Sequence, residues 1–460
     1  MSESHSVDIA IIGAGASGVM VAVQIARQSL AAGIAMPSVL LIDQAKQAGI
    51  GIAYSTTRPE HLLNVVAGRI SILPSESGHF VDWLLEQGEA PVGLADRFVP
   101  RDLFGRYLQA QLQHTQAAGV QVRGEQVVAL DMGAAHRIRF ASGGHVDAGA
   151  VVLAIGNNPR KLPLPHDGID VFEAWDHTKV ASIAADDRIA IIGAGLSMVD
   201  AVLTLAANGH RGRIDVFSRH GLTPLAHDAD HDSADIDIDA FAMMPLRARL
   251  HHLRQWAVDH PSRAWQAMMR TLRDPGQRLW QSLGDDDQRR FLRHVVRYWD
   301  IHRHRVAPQV AATLASLRES GHLTVNAARP VSIRAEGDRI ELIFIPRHQS
   351  TTKALTFDCV INATGLESHL DSSANPLLRS MFTVGLTRAG PHGRGLDTSS
   401  DGHLIDRGGA VQPNLYTLGS PRVGSLWESI AIPDLRVQAS ELAASLLHGR
   451  AIQTRDGCRE

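Results

Sequence analysis

Residues 7–12 read VDIAII, a short apolar run that stops abruptly at the loop GAGASG. A helical pattern follows to about residue 30, and a second run, SVLLID, occupies residues 38–43. Apolar run, turn, amphipathic stretch and apolar run, in that order, predict a βαβ unit within a parallel sheet. The same order returns further on: RIAII at 188–192, the loop GAGLSM, a helical pattern to about Asn208, and RIDVFSR at 213–219. This is the only internal repeat, and no solenoid period accompanies it.

Between the two repeats, residues 74–117 read as loop and helix and include the periodic RDLFGRYLQAQLQ. VQVRGEQVVALDM, HRIRFASG and HVDAGAVVLAIG read as meander strands ending in a buried one. NNPRKLPLPHDG, at 157–168, is a Pro/Gly/Asn linker and a natural boundary. Beyond the second repeat, residues 226–240 are polar and acidic, and a mobile solvated loop is expected there, with a lid as the functional alternative. Residues 240–320 are helical in pattern, and strands resume at HLTVNAARPVSIRAE, RIELIFIPR, FDCVINATG and NLYTLGSPRVGS. The expected fold class is α/β, with two Rossmann-like dinucleotide-binding domains. Residues 1–158 and 355–460 form one discontinuous domain; 159–354 form an inserted one that includes a helical insertion over about 240–320.

Composition narrows the function classes. The 460-residue chain is 44% hydrophobic and 20% charged, an ordinary balance with enough apolar surface for large cores. Its net charge of -3 favours neither nucleic acid nor an anionic membrane. The two cysteines, Cys359 and Cys458, form no C-x-x-C, so a redox dithiol is excluded. Neither a basic-then-apolar leader nor an apolar run of about 18 residues is visible, so a cytoplasmic location is expected.

The glycine loops carry the chemistry. Gly13, Gly15 and Gly18 give G-x-G-x-x-G between strand and helix. The first allows a tight turn, the second lets backbone approach a pyrophosphate, and the third packs helix on strand. Ser17 opens the helix whose N-terminus faces the phosphate. Asp43 ends the next strand, where a carboxylate meets a ribose diol. The second loop keeps Gly193, Gly195 and Ser197, but Met198 replaces the third glycine, and looser helix–strand packing is expected. No acid ends its next strand; Ser218 and Arg219 stand there, a pair that suits a 2′-phosphate. One site for an adenosine with a free diol and one for NADPH imply a flavin, FAD, beside a nicotinamide.

The pattern resembles flavoproteins with two dinucleotide-binding domains. VVLAIGNNP (151–159) and CVINATGL (359–366) each resemble their strand-then-Ala-Thr-Gly crossover segment, which brings in Thr364 and Gly365. NLYTLGS, with Gly419, resembles the late FAD segment, although Ser420 replaces the acid many members carry. The closer resemblance is to the FAD/NAD(P)-binding family that includes YdhS-like proteins. It is carried by GIGIAYSTTRPEHLLNVVAGRIS, VPRDLFGRYL, SRHGLTPLAH, RFLRHVVRYWDIHRHRVAP and GSLWESIAIPDLRVQA. PRDLFGRYL and DCVINATGLESH are also similar to segments of N-hydroxylating monooxygenases, with departures at Leu103, Asn362 and Leu366. VFEAWD lacks the His that a Baeyer–Villiger-type fingerprint requires.

The resemblance implies an NADPH-dependent FAD oxidoreductase, foremost a monooxygenase hydroxylating a small amine or amino-acid-like substrate with molecular oxygen. A reductase or dehydrogenase acting on a quinone, imine or protein acceptor is the first alternative, a non-catalytic flavin sensor the second. Self-association into a homo-oligomer stays open. Gly51 and Tyr54 are expected near the flavin, Gly51 for close approach and Tyr54 to stack or hydrogen-bond. His61 and Asn64 are the polar groups of an apolar run; Asn64 is read as a flavin contact and His61 as a satisfied core histidine or such a contact. A helix beginning after Gly424 is expected to aim its N-terminus at the flavin ring, with Trp427, Glu428 and Asp434 nearby. Substrate recognition is assigned among Arg101, His302, Arg305 and Glu428; Asn64, Arg101 and Glu428 are the catalytic candidates. No metal site is expected, since His302 and His304 are spaced two apart and do not share a helix face.

Overall fold

The computed structural model describes residues 6–456 except 46–47, 90, 167, 229–232 and 262–264. Its strands, in chain order, are β1 (Ser6–Ile12), β2 (Val39–Asp43), β3 (Gln121–Gly124), β4 (Val127–Asp131), β5 (His136–Phe140), β6 (His145–Leu153), β7 (Phe172–Glu173) and β8 (Ile189–Ile192). They continue as β9 (Ile214–Ser218), β10 (Leu323–Glu336), β11 (Arg339–Pro346), β12 (Lys353–Phe357), β13 (Cys359–Asn362), β14 (His403–Ile405) and β15 (Val411–Thr417).

Two sheets result. The first has the order β14-β15-β6-β1-β2-β3, with the β4–β5 hairpin joined to β6. β1 runs parallel to both β2 and β6, and its apolar run is buried nearly end to end, as a strand covered on both faces must be. The second sheet has the order β12-β11-β10-β9-β8-β13-β7. Its β8, β9 and the start of β10 are parallel, while the rest of β10 turns antiparallel to β11. The register shifts between Pro330 and Ser332, where a proline without an amide donor is accommodated.

Two compact units follow. The first comprises residues 1–57, 66–158 and 367–460; the second comprises Arg58–Val65 and Pro159–Leu366. The second unit therefore extends past the expected return at residue 355, because β13 pairs with β8 and β7. It also claims the Arg58–Val65 strip, which sequence pattern assigned to the first domain. Helices from Ile238–Met243 to Pro308–Glu319 form the insertion, with a core of its own around Phe241, Trp256 and Leu279. Ala234 and Ile236 are buried in that core and anchor the stretch, while Asp235, Asp237 and Asp239 are exposed; residues 229–232 of it lie outside the described residues. Among the described residues, no helix is long and apolar enough to cross a membrane.

Candidate functional site

In the first unit, β1 hands the chain to α1 (Ala16–Ala32) through the glycine loop. Gly13 has φ 109°, and a Cβ on it would lie 2.2 Å from the Ala154 carbonyl oxygen. A Cβ on Gly18 would lie 1.9 Å from the Gly13 carbonyl oxygen, so only glycine lets α1 approach this closely. Gly15 caps α1 with no side-chain hydrogen bond, and no acid stands in the first turn. The helix thus presents unsatisfied amides to an anion. Asp43 is fixed beside them: its Oδ2 accepts from Ala14 N at 2.7 Å and its Oδ1 from Ala45 N at 2.8 Å. Each oxygen keeps acceptor capacity for a hydroxyl.

The GIGIAY segment lies directly on this loop. Gly49 N donates to Ala14 O at 2.7 Å, and a Cβ on Gly51 would come within 3.1 Å of the Gly15 Cα. Gly419, with φ 73°, closes the cluster from the chain's far end: a Cβ there would lie 3.4 Å from Ser17 Oγ. Tyr54 packs on Phe104 with ring centres 4.9 Å apart, so that face of its ring is used by the protein. Burial pushes its hydroxyl up to about 12, against the opposing charge of Arg101 at the start of α2 (Arg101–Ala117). The late helix departs from expectation. It is α5 (Ile432–Asp456), starting at Ile432 rather than after Gly424, and Asp434 in its first turn competes with any anionic ligand for the amides. Glu428 sits in the turn before it with φ 59°, a left-handed backbone unusual for a non-glycine residue and typical of sites under constraint.

The second unit repeats the design. Gly193 has φ 112°, and a Cβ on it would lie 2.1 Å from the Ala363 carbonyl oxygen, matching the Gly13–Ala154 relation. Ala154 N and Ala363 N likewise donate to Ile12 O and Ile192 O, each at 2.8 Å. Gly195 caps α4 (Leu196–Ala207) without a side-chain bond, and Ser197 lies in its first turn. A Cβ on Gly195 would meet nothing within 4 Å, which leaves open space before the helix. Met198, in the place of the third glycine, is fully buried.

The Ala-Thr-Gly turn is held by a residue that sequence reasoning marked only as a departure. Asn362, 2% exposed, donates through Nδ2 to Arg160 O at 2.8 Å and to the Glu173 carboxylate at 2.9 Å. Its Oδ1 accepts from Thr364 N at 3.1 Å and Thr364 Oγ1 at 2.7 Å. Thr364 and Gly365, whose φ is 88°, are thereby set against the second glycine loop. At the tip of β9, Ser218 Oγ accepts from Gly221 N at 3.1 Å, and Arg219 stands exposed. Desolvation and then the guanidinium charges of Arg297 and Arg160 lower the Arg219 pKa, so this corner gathers positive charge.

Other candidates separate. His61 is fully buried and bonded at 3.0 Å to both Asp200 O and Thr204 Oγ1 of α4, the satisfied-core outcome. Asn64 is exposed, contrary to its reading as a buried polar group, because its strip is held through the backbone: Asn64 O lies 2.8 Å from His227 Nε2. His302 packs edge-on against Trp265 at 4.6 Å, and the Arg305 guanidinium lies over the same ring. These two are engaged in the insertion's packing.

The two cradles, with uncapped helix ends and an anchored acid at only one of them, fit dinucleotides of different kinds. Residues 10–158 match an FAD-NAD(P)-binding family model. No curated protein matches the chain. Solved structures of similar fold cover nearly all of it. The reduced form of ornithine hydroxylase from Pseudomonas aeruginosa is 20% identical, with a TM-score of 0.65 over 96% of this chain and 98% of its own. Ornithine N-hydroxylase of Kutzneria sp. 744, with reduced FAD, NADP+ and L-ornithine, is 15% identical, with a TM-score of 0.65 over 97% and 100%. L-lysine 6-monooxygenase from Pseudomonas syringae is 17% identical, with a TM-score of 0.67 over 96% and 99%. At these identities the likeness is one of fold.

Proposed function

We propose that the chain is an NADPH-dependent FAD monooxygenase that hydroxylates the nitrogen of a small amine or amino-acid-like substrate. The supporting observation is the contrast between the two cradles: Asp43 at the tip of β2 beside one, Ser218 and Arg219 at the tip of β9 beside the other. An acid accepts ribose hydroxyls and repels a 2′-phosphate; a guanidinium attracts it. The whole-length fold likeness to amino-acid N-hydroxylases supports the choice of reaction.

In this reading the α1 amides and Gly13, Gly15, Ser17 and Gly18 hold the FAD pyrophosphate and Asp43 the ribose, while Gly51 and Gly419 let their segments pack closely around the loop. Gly193, Gly195 and Ser197 hold the NADPH pyrophosphate, while Thr364 and Gly365 wall the site. Bound, the cofactors would supply hydride transfer and the activation of dioxygen. The chain's task is to orient them, exclude water and present the substrate. Arg101 suits a substrate carboxylate and Glu428 a substrate ammonium. Tyr54, its hydroxyl raised to about 12, stays neutral at physiological pH.

The test is oxygen uptake. NADPH oxidation by the purified yellow protein is followed with oxygen consumption across a panel of amines and amino acids. Amine-stimulated uptake with a hydroxylamine product is expected. Turnover only with an artificial acceptor and without oxygen overturns the monooxygenase reading, and no turnover at all favours a sensor.

A further inference from the structure

Three residues far apart in sequence meet beside α4. His61 comes from the Arg58–Val65 strip, His177 opens α3 (His177–Ala181), and Asp200 lies one turn into α4. All three belong to the second unit. One ligand atom from each lies within 4.8 Å of the others, and the two imidazole centres are 4.5 Å apart. We propose that these side chains form a site for a divalent transition-metal ion of the zinc class. This inference is independent of the monooxygenase reading.

The donor set is the first reason. Two imidazoles and a carboxylate suit zinc, which commonly takes three protein ligands and a water. Imidazoles bound side by side at about 2.0–2.1 Å from one tetrahedral ion bring their ring centres to about 5 Å, and the 4.5 Å seen here lies within a small side-chain rotation of that. Burial is the second reason. His61 is fully buried and Asp200 is 6% exposed. A carboxylate withdrawn from water is held by hydrogen bonds or by an opposite charge, and an adjacent dication is one such partner. Such a partner lets both imidazoles stay neutral.

The third reason is how His61 is held. Its Nε2 lies 3.0 Å from the Asp200 backbone oxygen and 3.0 Å from Thr204 Oγ1. A backbone carbonyl only accepts, so Nε2 carries the proton and the ring's lone pair is on Nδ1. A metal-binding histidine commonly donates its other N–H to a carbonyl in this way, which fixes tautomer and orientation. Tetrahedral ligand atoms around zinc stand about 3.4 Å apart, so side-chain rotations of about 1 Å close the site. The plainer arrangement, a His–Asp–His trio held by hydrogen bonds alone, uses the same contacts; metal content and its effect on stability separate the two. The ion would clip the Arg58–Val65 strip and α3 onto the helix that carries the second glycine loop.

The test uses the full-length, FAD-loaded protein with any affinity tag removed, dialysed against a chelator and then titrated with zinc. Cobalt serves as the spectroscopic probe. One zinc per chain, a higher Tm with zinc and a visible cobalt spectrum are expected. His177→Ala, at the least buried of the three ligands, should weaken zinc more than about 100-fold, because loss of a ligand exceeds the 10–100-fold effect of an outer partner. Thr204→Val, which removes only the hydroxyl beside His61, should weaken it by about 10–100-fold. If His177→Ala fails to retain FAD, Asp200→Asn replaces it, with the same loss expected. Wild-type protein that takes up no stoichiometric zinc and shows no change in Tm overturns the proposal. Undiminished zinc binding by the ligand variant also overturns it, since the ion would then sit on other histidines.

Discussion

Asp43 accepts the Ala14 amide hydrogen at 2.7 Å, which pins the tip of β2 to the first glycine loop. The same carboxylate holds Ala45 N at 2.8 Å, so it orders the loop before any cofactor arrives. Asp43→Ala removes both bonds and the proposed ribose contact. Each bond to a charged group is worth about 1.5–3 kcal/mol, so FAD affinity should fall at least about tenfold. Flavin absorbance per chain after gel filtration reads this; unchanged occupancy would remove Asp43 from the site.

Two glycines that look alike in sequence should behave oppositely. Gly18→Ala places a methyl 1.9 Å from the Gly13 carbonyl oxygen, so the fold should suffer, with a loss of several kcal/mol, about 3 or more, in stability. Gly195→Ala meets open space at an ordinary φ of −90° and should melt near wild type. Its methyl would instead occupy room offered to the second dinucleotide. A raised NADPH KM with normal flavin content is expected, and an unchanged KM would count against ligand use of that space.

Arg219→Ala should raise the KM for NADPH by about 10–150-fold and leave that for NADH nearly unchanged, from loss of one charge-assisted phosphate contact of about 1.5–3 kcal/mol. Equal effects on both would refute 2′-phosphate recognition. Arg297 and Arg160, whose charges act on Arg219, should give smaller changes of the same sign.

Glu173 supplies a pH dependence. Burial raises its pKa above the usual carboxylate range, against the favourable hydrogen bond from Asn362. A raised folded-state pKa gives a stability contribution that is complete below the unfolded pKa and is lost as pH rises through the folded one. Glu173→Gln keeps an acceptor for Asn362 and cannot ionise. It should therefore melt higher than wild type at neutral pH, with the gap closing as pH falls toward the normal carboxylate range. Parallel melting curves across pH would refute this.

What sequence pattern could show was local. Each glycine loop lies within one βαβ unit together with the residues at the end of its next strand, Asp43 in the first and Ser218 with Arg219 in the second, so their relations are set by the neighbouring chain. The matching Ala154 and Ala363 carbonyls could be anticipated only as two similar segments, because their approach to Gly13 and Gly193 is made by strand pairing across long separations. Asn64 misled because its apolar neighbours Leu63 and Leu62 suggested burial, whereas the chain turns there and exposes the amide. The start of α5 at Ile432 was obscured for the same reason: the residues after Gly424 have helical composition, but Glu428 takes a left-handed backbone that no α-helix admits. His61, His177 and Asp200 carry no spacing that could announce their meeting.

The strip Arg58–Val65 has a practical consequence for anyone dissecting this chain. The second unit is stitched from two threads, so residues 159–366 expressed alone would lack the one that carries His61. Such a fragment would leave the Asp200 carbonyl and the Thr204 hydroxyl without their imidazole and would lack the buried Leu63. A folded fragment of the second unit would need that octapeptide restored, grafted ahead of Pro159 or supplied in trans as a peptide.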